Sequence, residues 1–198
     1  GATGYLGREI VKKLLSIGVY LYLTDKPGSN YKFLKKKDLK SVEIIECDLS
    51  SEIERNKLIK KINKLDLLIN NAAYVGDTKG KGWNTNFKNQ SLKIWREAIE
   101  INLTAPFHLI RDLSSVMKKS KSASIINISS IYGVIAPDYT IYTGTKINNP
   151  AAYAVSKAGL NHFTKWLSAT LAPDIRVNSI SIGGIERKQD KIFKKKYI

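Results

Sequence analysis

Three groups of residues in this chain have the types and spacing to do chemistry. The first is the turn Gly1-Ala2-Thr3-Gly4-Tyr5-Leu6-Gly7, which opens a segment with apolar residues at helical spacing. Glycines in such a turn let backbone N–H groups approach a pyrophosphate at the positive end of the helix. The second is Asp25, at the end of the next apolar run, where a carboxylate accepts hydrogen bonds from an adenosine ribose and repels a 2′-phosphate. Lys26 beside it is the opposing signal, a cation suited to that phosphate. Each also has a plainer reading: a bare glycine turn, and a turn aspartate before Pro27-Gly28. The third group is Tyr-x-x-x-Lys, which occurs as Tyr22/Lys26, Tyr31/Lys35, Tyr142/Lys146 and Tyr153/Lys157. A free phenol titrates near ~10, and an ammonium one helical turn later lowers that value towards the range where a phenolate serves as a base.

The elements needed to position these groups are legible as an alternation of strands and helices. Leu6 to Ile17 predicts a helix that stops at Gly18, and Val19 to Leu23 predicts a strand closed by Asp25 to Gly28. Val42 to Cys47 predicts a second strand, followed by a helix capped near Ser51 and running to about Asn63. Leu65 to Ile69, Ser124 to Ile128 and Ile175 to Ile180 predict three more strands. A polar loop at Gly76 to Asn89 precedes one long helix from Ser91 to Met117, and a loop at Ala136 to Pro150 precedes a helix from Ala151 to Leu171. Short strands alternating with helices imply one doubly wound α/β domain with a parallel sheet. That pattern also separates the Tyr/Lys pairs. Tyr22 lies in a strand, and Tyr31 follows the Asp25 turn. Tyr142 is followed by Gly144 between threonines and then by Asn148-Asn149-Pro150, all unfavourable to helix. Only Tyr153 follows a proline suited to a first helical turn and sits among alanines.

Composition narrows the function classes. The 198 residues are 43% hydrophobic and 25% charged, the balance of a folded chain with a sizeable core. The net charge of +16 comes from a general lysine excess, spread along the chain except at Lys35 to Lys37 and Lys194 to Lys196, which argues against a nucleic-acid surface, since these favour arginine. No apolar run approaches a bilayer span, and neither a leader nor an anchor is visible. The single cysteine, Cys47, fits a reducing cytoplasm and reads as a small buried hydrophobe. His108 and His162 lack metal-ligand spacing and are expected at the surface or an interface. Trp95 and Trp166 read as core or subunit-contact residues.

Taken in order, the glycine turn, Asp25, Asp48-Leu49, Asn70-Asn71-Ala72-Ala73, Ile101-Asn102-Leu103, Ile126 to Ser130, Tyr153-Ala-Val-Ser-Lys157 and Arg176 to Gly184 resemble the short-chain dehydrogenase/reductase family over the whole chain. The resemblance implies a Rossmann-type, three-layer α/β/α fold and an NAD(P)-dependent oxidoreductase. By that resemblance Tyr153 is the acid, or in reverse the base. Lys157 lowers its pKa and holds the nicotinamide ribose. Ser130 donates to the substrate oxygen, and Asn102 holds a water linking Lys157 to solvent. The dinucleotide would be contacted by Gly1, Thr3, Gly4, Tyr5, Leu6, Gly7, Asp25, Asp48, Leu49, Asn71, Ala72, Ala73, Tyr153, Lys157, Gly183 and Ile185, with NAD favoured over NADP and no metal required. A small-molecule substrate, a cytoplasmic location and a homo-oligomer, dimer or tetramer, built on the helices at 91–117 and 151–171 complete the expectation.

Departures from the family pattern sharpen the substrate question. Ile182 stands where proline is usual, and Arg187 where a threonine would contact the nicotinamide carboxamide. The interval from Ser130 to Tyr153 is longer than in the shorter branch of the family. Set against that family, the first strand and a C-terminal substrate region are expected to be missing from residues 1–198, which leaves strand edges unpaired. The mixture of branch features resembles members encoded with surface-polysaccharide and flagellin-glycan genes, which implies a sugar phosphate or nucleotide sugar as substrate. The alternatives are a general ketoacyl or secondary-alcohol reductase, and a non-catalytic dinucleotide-binding regulator.

Overall fold

The computed structural model describes residues 1–75, 82–145, 148–186 and 191–197. The Lys146 half of the rival Tyr142 pair, Arg187 and part of the polar loop at Gly76 to Asn89 lie outside the described residues.

Five parallel strands form two sheets. Strands β1 (Leu21–Asp25) and β2 (Val42–Glu46) pair with Leu23 opposite Ile44. Strands β3 (Leu67–Asn70), β4 (Ser124–Ser130) and β5 (Arg176–Ile182) pair in that order, with Asn70 opposite Asn127 and Asn127 opposite Ser179. The first strand begins and ends two residues later than the sequence predicts, so Asp25 closes the strand itself rather than the turn after it. Helices α1 (Tyr5–Ser16), α2 (Glu52–Lys61), α3 (Leu92–Ile99), α4 (Ala105–Met117), α5 (Ala151–Leu171) and α6 (Lys191–Tyr197) flank the strands. This is the Rossmann-type α/β fold expected from the alternation.

Helix α4 packs on both sheets. Leu109 and Leu113 join Ile45, Cys47, Leu58 and Ile62, while Ile110 and Met117 join Ile125, Leu167, Ile175 and Val177. Two adjacent stripes on one helix thus bury against different sheets, consistent with an apolar arc wider than a single seam. Between β1 and β3 the sheets do not hydrogen-bond, and an apolar cleft of about 540 Å³ separates them. Gly1 bridges its upper end: its amino group donates to the Thr24 carbonyl at 2.7 Å, and its carbonyl accepts from Asn71 Nδ2 at 2.9 Å.

The expected helix from Ser91 to Met117 is interrupted. Residues Glu100–Thr104 form a π turn between α3 and α4, in which the Ala105 N–H reaches the Glu100 carbonyl. Pro106 accounts for it, since a residue without an N–H cannot donate to the carbonyl of Asn102 four positions earlier, and the α ladder cannot run through.

His108 corrects an expectation. It is 4% exposed rather than at the surface, because Arg55 of α2 crosses to α4 and donates from Nε to His108 Nδ1 at 3.0 Å. His162 is exposed as expected. Trp95 is half-buried against Trp83, Ala98 and Ala152, whereas Trp166 is 57% exposed and stacks on Phe163. Cys47 is buried among apolar side chains, which pushes its thiol up to about 11. Among the described residues no helix is long and apolar enough to cross a membrane.

Candidate active site

The carboxyl ends of all five strands open onto one cleft of about 580 Å³. In open α/β sheets, ligands bind at this edge, where the strand order reverses. The glycine turn lies at that reversal. Helix α1 starts after Gly4 with no side-chain cap, and its first backbone bond runs from the Arg8 N–H to the Gly4 carbonyl at 3.0 Å. Gly7 must be glycine: a Cβ there would stand 2.0 Å from the Gly1 carbonyl oxygen, so only a bare backbone lets the turn fold back on itself. Gly1, Thr3, Gly4, Tyr5, Leu6 and Gly7 all line the cleft.

Asp25 lines the same end. Its Oδ2 accepts from the Thr3 N–H at 2.8 Å and the Thr3 hydroxyl at 2.7 Å, and its Oδ1 accepts from the Lys26 N–H at 2.9 Å. Burial pushes the carboxyl up, but the bonds from Thr3 and from the Lys26 N–H favour the ionised form, and its pKa lies below the ordinary value. Asp25 is therefore a fixed anion on the wall of the cleft, with acceptor capacity left beyond these three bonds. Asp48 and Leu49 form the adjoining wall. The Asp48 N–H donates to Glu54 at 2.6 Å, and its carboxylate accepts from both donors of Ser50 at 2.9 and 2.8 Å.

Asn71, Ala72 and Ala73 continue the wall after β3, and Tyr153, Lys157 and Ile185 close the other end. Gly183 does not line the cleft; a Cβ on it would meet the hydroxyl of Tyr197 on α6 at 3.5 Å. Lys157 is 2% exposed, and its Nζ donates to the Ile128 carbonyl at 2.7 Å and lies 5.9 Å from the Tyr153 ring centroid. Burial lowers its pKa to about 8.

Helix α5 is held against β4 by a continuous polar chain. Asn70 donates to Asn127 at 2.8 Å, Asn127 to Thr164 at 2.9 Å, and Thr164 to the Leu160 carbonyl at 2.8 Å. The Ser129 hydroxyl donates to the Lys157 carbonyl at 3.1 Å. Gly133 lets the turn after β4 touch α5, for a Cβ on it would lie 2.6 Å from the Lys157 backbone. Buried and satisfied, this chain fixes where Tyr153 and Lys157 sit relative to Ser130.

Ser130 ends β4, 5% exposed, and its Oγ accepts from the Tyr132 N–H at 3.2 Å. Asn102 sits in the π turn, 1% exposed. Its Oδ1 accepts from the Tyr74 N–H at 2.6 Å, and its Nδ2 donates to the Tyr74 carbonyl at 3.3 Å and to Ser156 Oγ at 3.0 Å. Neither residue lines the cleft directly; their neighbours Ser129 and Ile101 do. Tyr142, the rival tyrosine, lies in a 3-10 turn (Tyr139–Tyr142), and its hydroxyl pairs with that of Tyr132 at 2.6 Å. The pattern search missed Cys47, Tyr74, Val75, Ile128 and Ile182 as lining residues. Their signal was positional, since each is at or just beyond a strand's carboxyl end.

The residues fit a nicotinamide dinucleotide. A bare-backbone cradle accepts the diphosphate, a fixed carboxylate stands at one end of the cleft, and a phenol with a buried amine stands at the other.

The chain is similar to known proteins over nearly its whole length. The family model for short chain dehydrogenases matches residues 1–196. The chain is 32% identical over 209 aligned residues to post-translational flagellin modification protein A of Campylobacter coli, covering 100% of this chain and 79% of that protein. It is 37% identical to a 3-oxoacyl-acyl-carrier-protein reductase of Rickettsia typhi, covering 98% and 75%. Among solved structures, a short chain dehydrogenase from Leptospira borgpetersenii with bound NAD+ superposes with a TM-score of 0.82 at 31% identity, covering 100% and 74%. With its cleft, its glycine cradle and its Tyr153/Lys157 helix in the family's order, the chain belongs to the short chain dehydrogenases, oxidoreductases acting on CH–OH groups.

Proposed function

We propose that this chain is an NAD-dependent oxidoreductase that interconverts a secondary hydroxyl and a carbonyl on a sugar phosphate or nucleotide sugar. The observation that carries the cofactor half is the pairing of Asp25, fixed as an anion at one end of the cleft, with Tyr153 and Lys157 at the other. A carboxylate held by Thr3 accepts ribose hydroxyls and repels a 2′-phosphate, which supports NAD over NADP. A nicotinamide held in the cleft would accept or supply the hydride.

In the oxidising direction, the Tyr153 phenolate oxygen takes the substrate's hydroxyl proton; in the reducing direction the phenol returns it. The Lys157 ammonium, with little water to screen it, stabilises the phenolate. The bond from Lys157 to the Ile128 carbonyl stops the long side chain from swinging away. Ser130 Oγ, already accepting from Tyr132, keeps its own proton free to donate to the substrate oxygen. Asn102 ties the loop after β3, at Tyr74, to Ser156 beside Lys157 and so holds the proton path in register.

The sugar half is supported by the long interval between Ser130 and Tyr153. That segment carries the paired hydroxyls of Tyr132 and Tyr142, 2.6 Å apart, and the likeness to a flagellin modification protein supports the same reading. A second reading, reduction of a 3-oxoacyl thioester, is favoured by the 37% identity to the Rickettsia reductase. Two copies would pair through the exposed Phe107 and Trp166 on α4 and α5, in the cytoplasm. The test is a turnover and binding panel. Nucleotide sugars and sugar phosphates should reduce NAD, while Tyr153→Phe abolishes turnover and retains cofactor binding. Turnover confined to acetoacetyl thioesters would transfer the assignment to the second reading, and survival of activity in Tyr153→Phe would refute the mechanism.

A further inference from the structure

Arg55 is buried deeper than a surface helix requires. It lies on α2, 3% exposed, and none of the catalytic steps uses it. Its guanidinium reaches three other elements. Nη1 donates to the Leu49 carbonyl in the cleft wall and pairs with Glu100 Oε1 at 2.6 Å at the head of the π turn, while Nε donates to His108 Nδ1 on α4. Burying a cation is costly, and breaking such a pair leaves an uncompensated charge, so this side chain is held by its partners rather than by packing.

The wall it grips is the one that flanks Asp25. Glu54, the preceding residue on α2, accepts from the Asp48 N–H at 2.6 Å, and Arg55 takes the Leu49 carbonyl. One helix therefore holds both ends of the Asp48-Leu49 turn, and the Arg55 half is anchored across the molecule on Glu100 and His108. Leu49 itself lines both the open cleft and the apolar cleft between the sheets, so packing alone does not lock it.

We infer that Arg55 is a positioning residue for dinucleotide affinity: anchored on Glu100 and His108, it fixes the Leu49 wall of the adenosine half of the cleft. The inference rests on the dinucleotide reading of that cleft. A planar fork with five donors spans three acceptors in different directions; a lysine, with its donors on one nitrogen, retains the charge and loses the span.

The test is Arg55→Lys in the full chain, with ADP, which carries the adenosine half alone, titrated by calorimetry. The ADP dissociation constant should rise about tenfold, as should KM for NAD, while kcat at saturating NAD stays within about twofold. A merely structural residue would lower the melting temperature and leave ADP binding to the folded protein unchanged; that result overturns the inference. Should Arg55→Lys not fold, Glu100→Gln keeps the shape of the anchor and removes its charge. ADP binding weakened about threefold supports the inference, and unchanged binding overturns it. Absence of ADP binding by the unmutated chain would overturn the dinucleotide reading and this inference with it.

Discussion

Replacing Lys157 by methionine should change the pH dependence of stability in a direction set by its burial. Lys157 is 2% exposed and titrates at about 8, against 10.5 for a free lysine. Because its pKa is lowered in the folded state, the unfolded chain binds more protons between those values, and stability rises with pH through that window. Below pH 8 both states carry the cation and the full penalty applies, about 3 kcal/mol at about 1.4 kcal/mol per pH unit. Methionine removes the charge and also the bond to the Ile128 carbonyl, which is worth about 1.5–3 kcal/mol. The two effects nearly cancel at neutral pH, so stability at one pH is a poor readout. The slope is a clean one, because it depends only on the difference in bound protons between the folded and unfolded chains. From pH 7 to pH 10 the parent should gain about 2 to 3 kcal/mol relative to the methionine variant, measured by urea unfolding. Both proteins should carry Tyr153→Phe, so that the neighbouring phenol does not enter the comparison. Parallel stability curves would refute the burial argument.

Other perturbations have equally definite outcomes. Asp25→Ser removes the fixed anion held by Thr3 and should narrow the preference for NAD over NADP at least about tenfold in kcat/KM; a parent enzyme that uses NADP equally well would transfer the role to Lys26. Gly7→Ala forces a methyl towards the Gly1 carbonyl and should abolish NAD binding in a thermal-shift assay, whereas Gly144→Ala, whose Cβ would meet nothing within 4 Å, should leave NAD binding intact despite its φ of +77°. Ile125→Ala, at the fully buried centre of β4, should cost about 2–5 kcal/mol in chemical unfolding.

Most of the fold was legible because its signals are local. Asn70-Asn71-Ala72-Ala73 and Ile126 to Ser130 were read as two strand ends, and they lie side by side, Asn70 opposite Asn127. The different settings of Tyr153 and Tyr142 were also legible, since Gly144 and Pro150 break any helix through Tyr142, which lies in a 3-10 turn, while Tyr153 lies in α5. What escaped was non-local. Arg55 and His108 are 53 residues apart, and each looks like an ordinary polar residue on its own helix; their burial depends on α2 meeting α4. Gly183 was placed in the cleft by pattern alone, and the packing of Tyr197 against that strand end is likewise a contact between distant segments.

The π turn is the instructive case, because its signal was present and local. Apolar residues from Leu92 to Met117 keep a helical rhythm, which predicts a single helix. A proline inside such a rhythm marks a break, and Pro106 identifies its site: the carbonyl of Asn102 loses the donor an α-helix would supply. The chain answers by closing a wider turn from Glu100, with one more residue than an α turn holds. An extra residue rotates everything beyond it by about 100° relative to an unbroken helix. That rotation lets α3 present Ala98 to Trp83 and Ala152 while α4 presents Leu109 and Ile110 to the two sheets. It also puts Asn102 at the change of phase, where its amide binds Tyr74 and Ser156 across the helix boundary. The same irregularity that spoils the periodicity is what brings a buried amide beside Lys157.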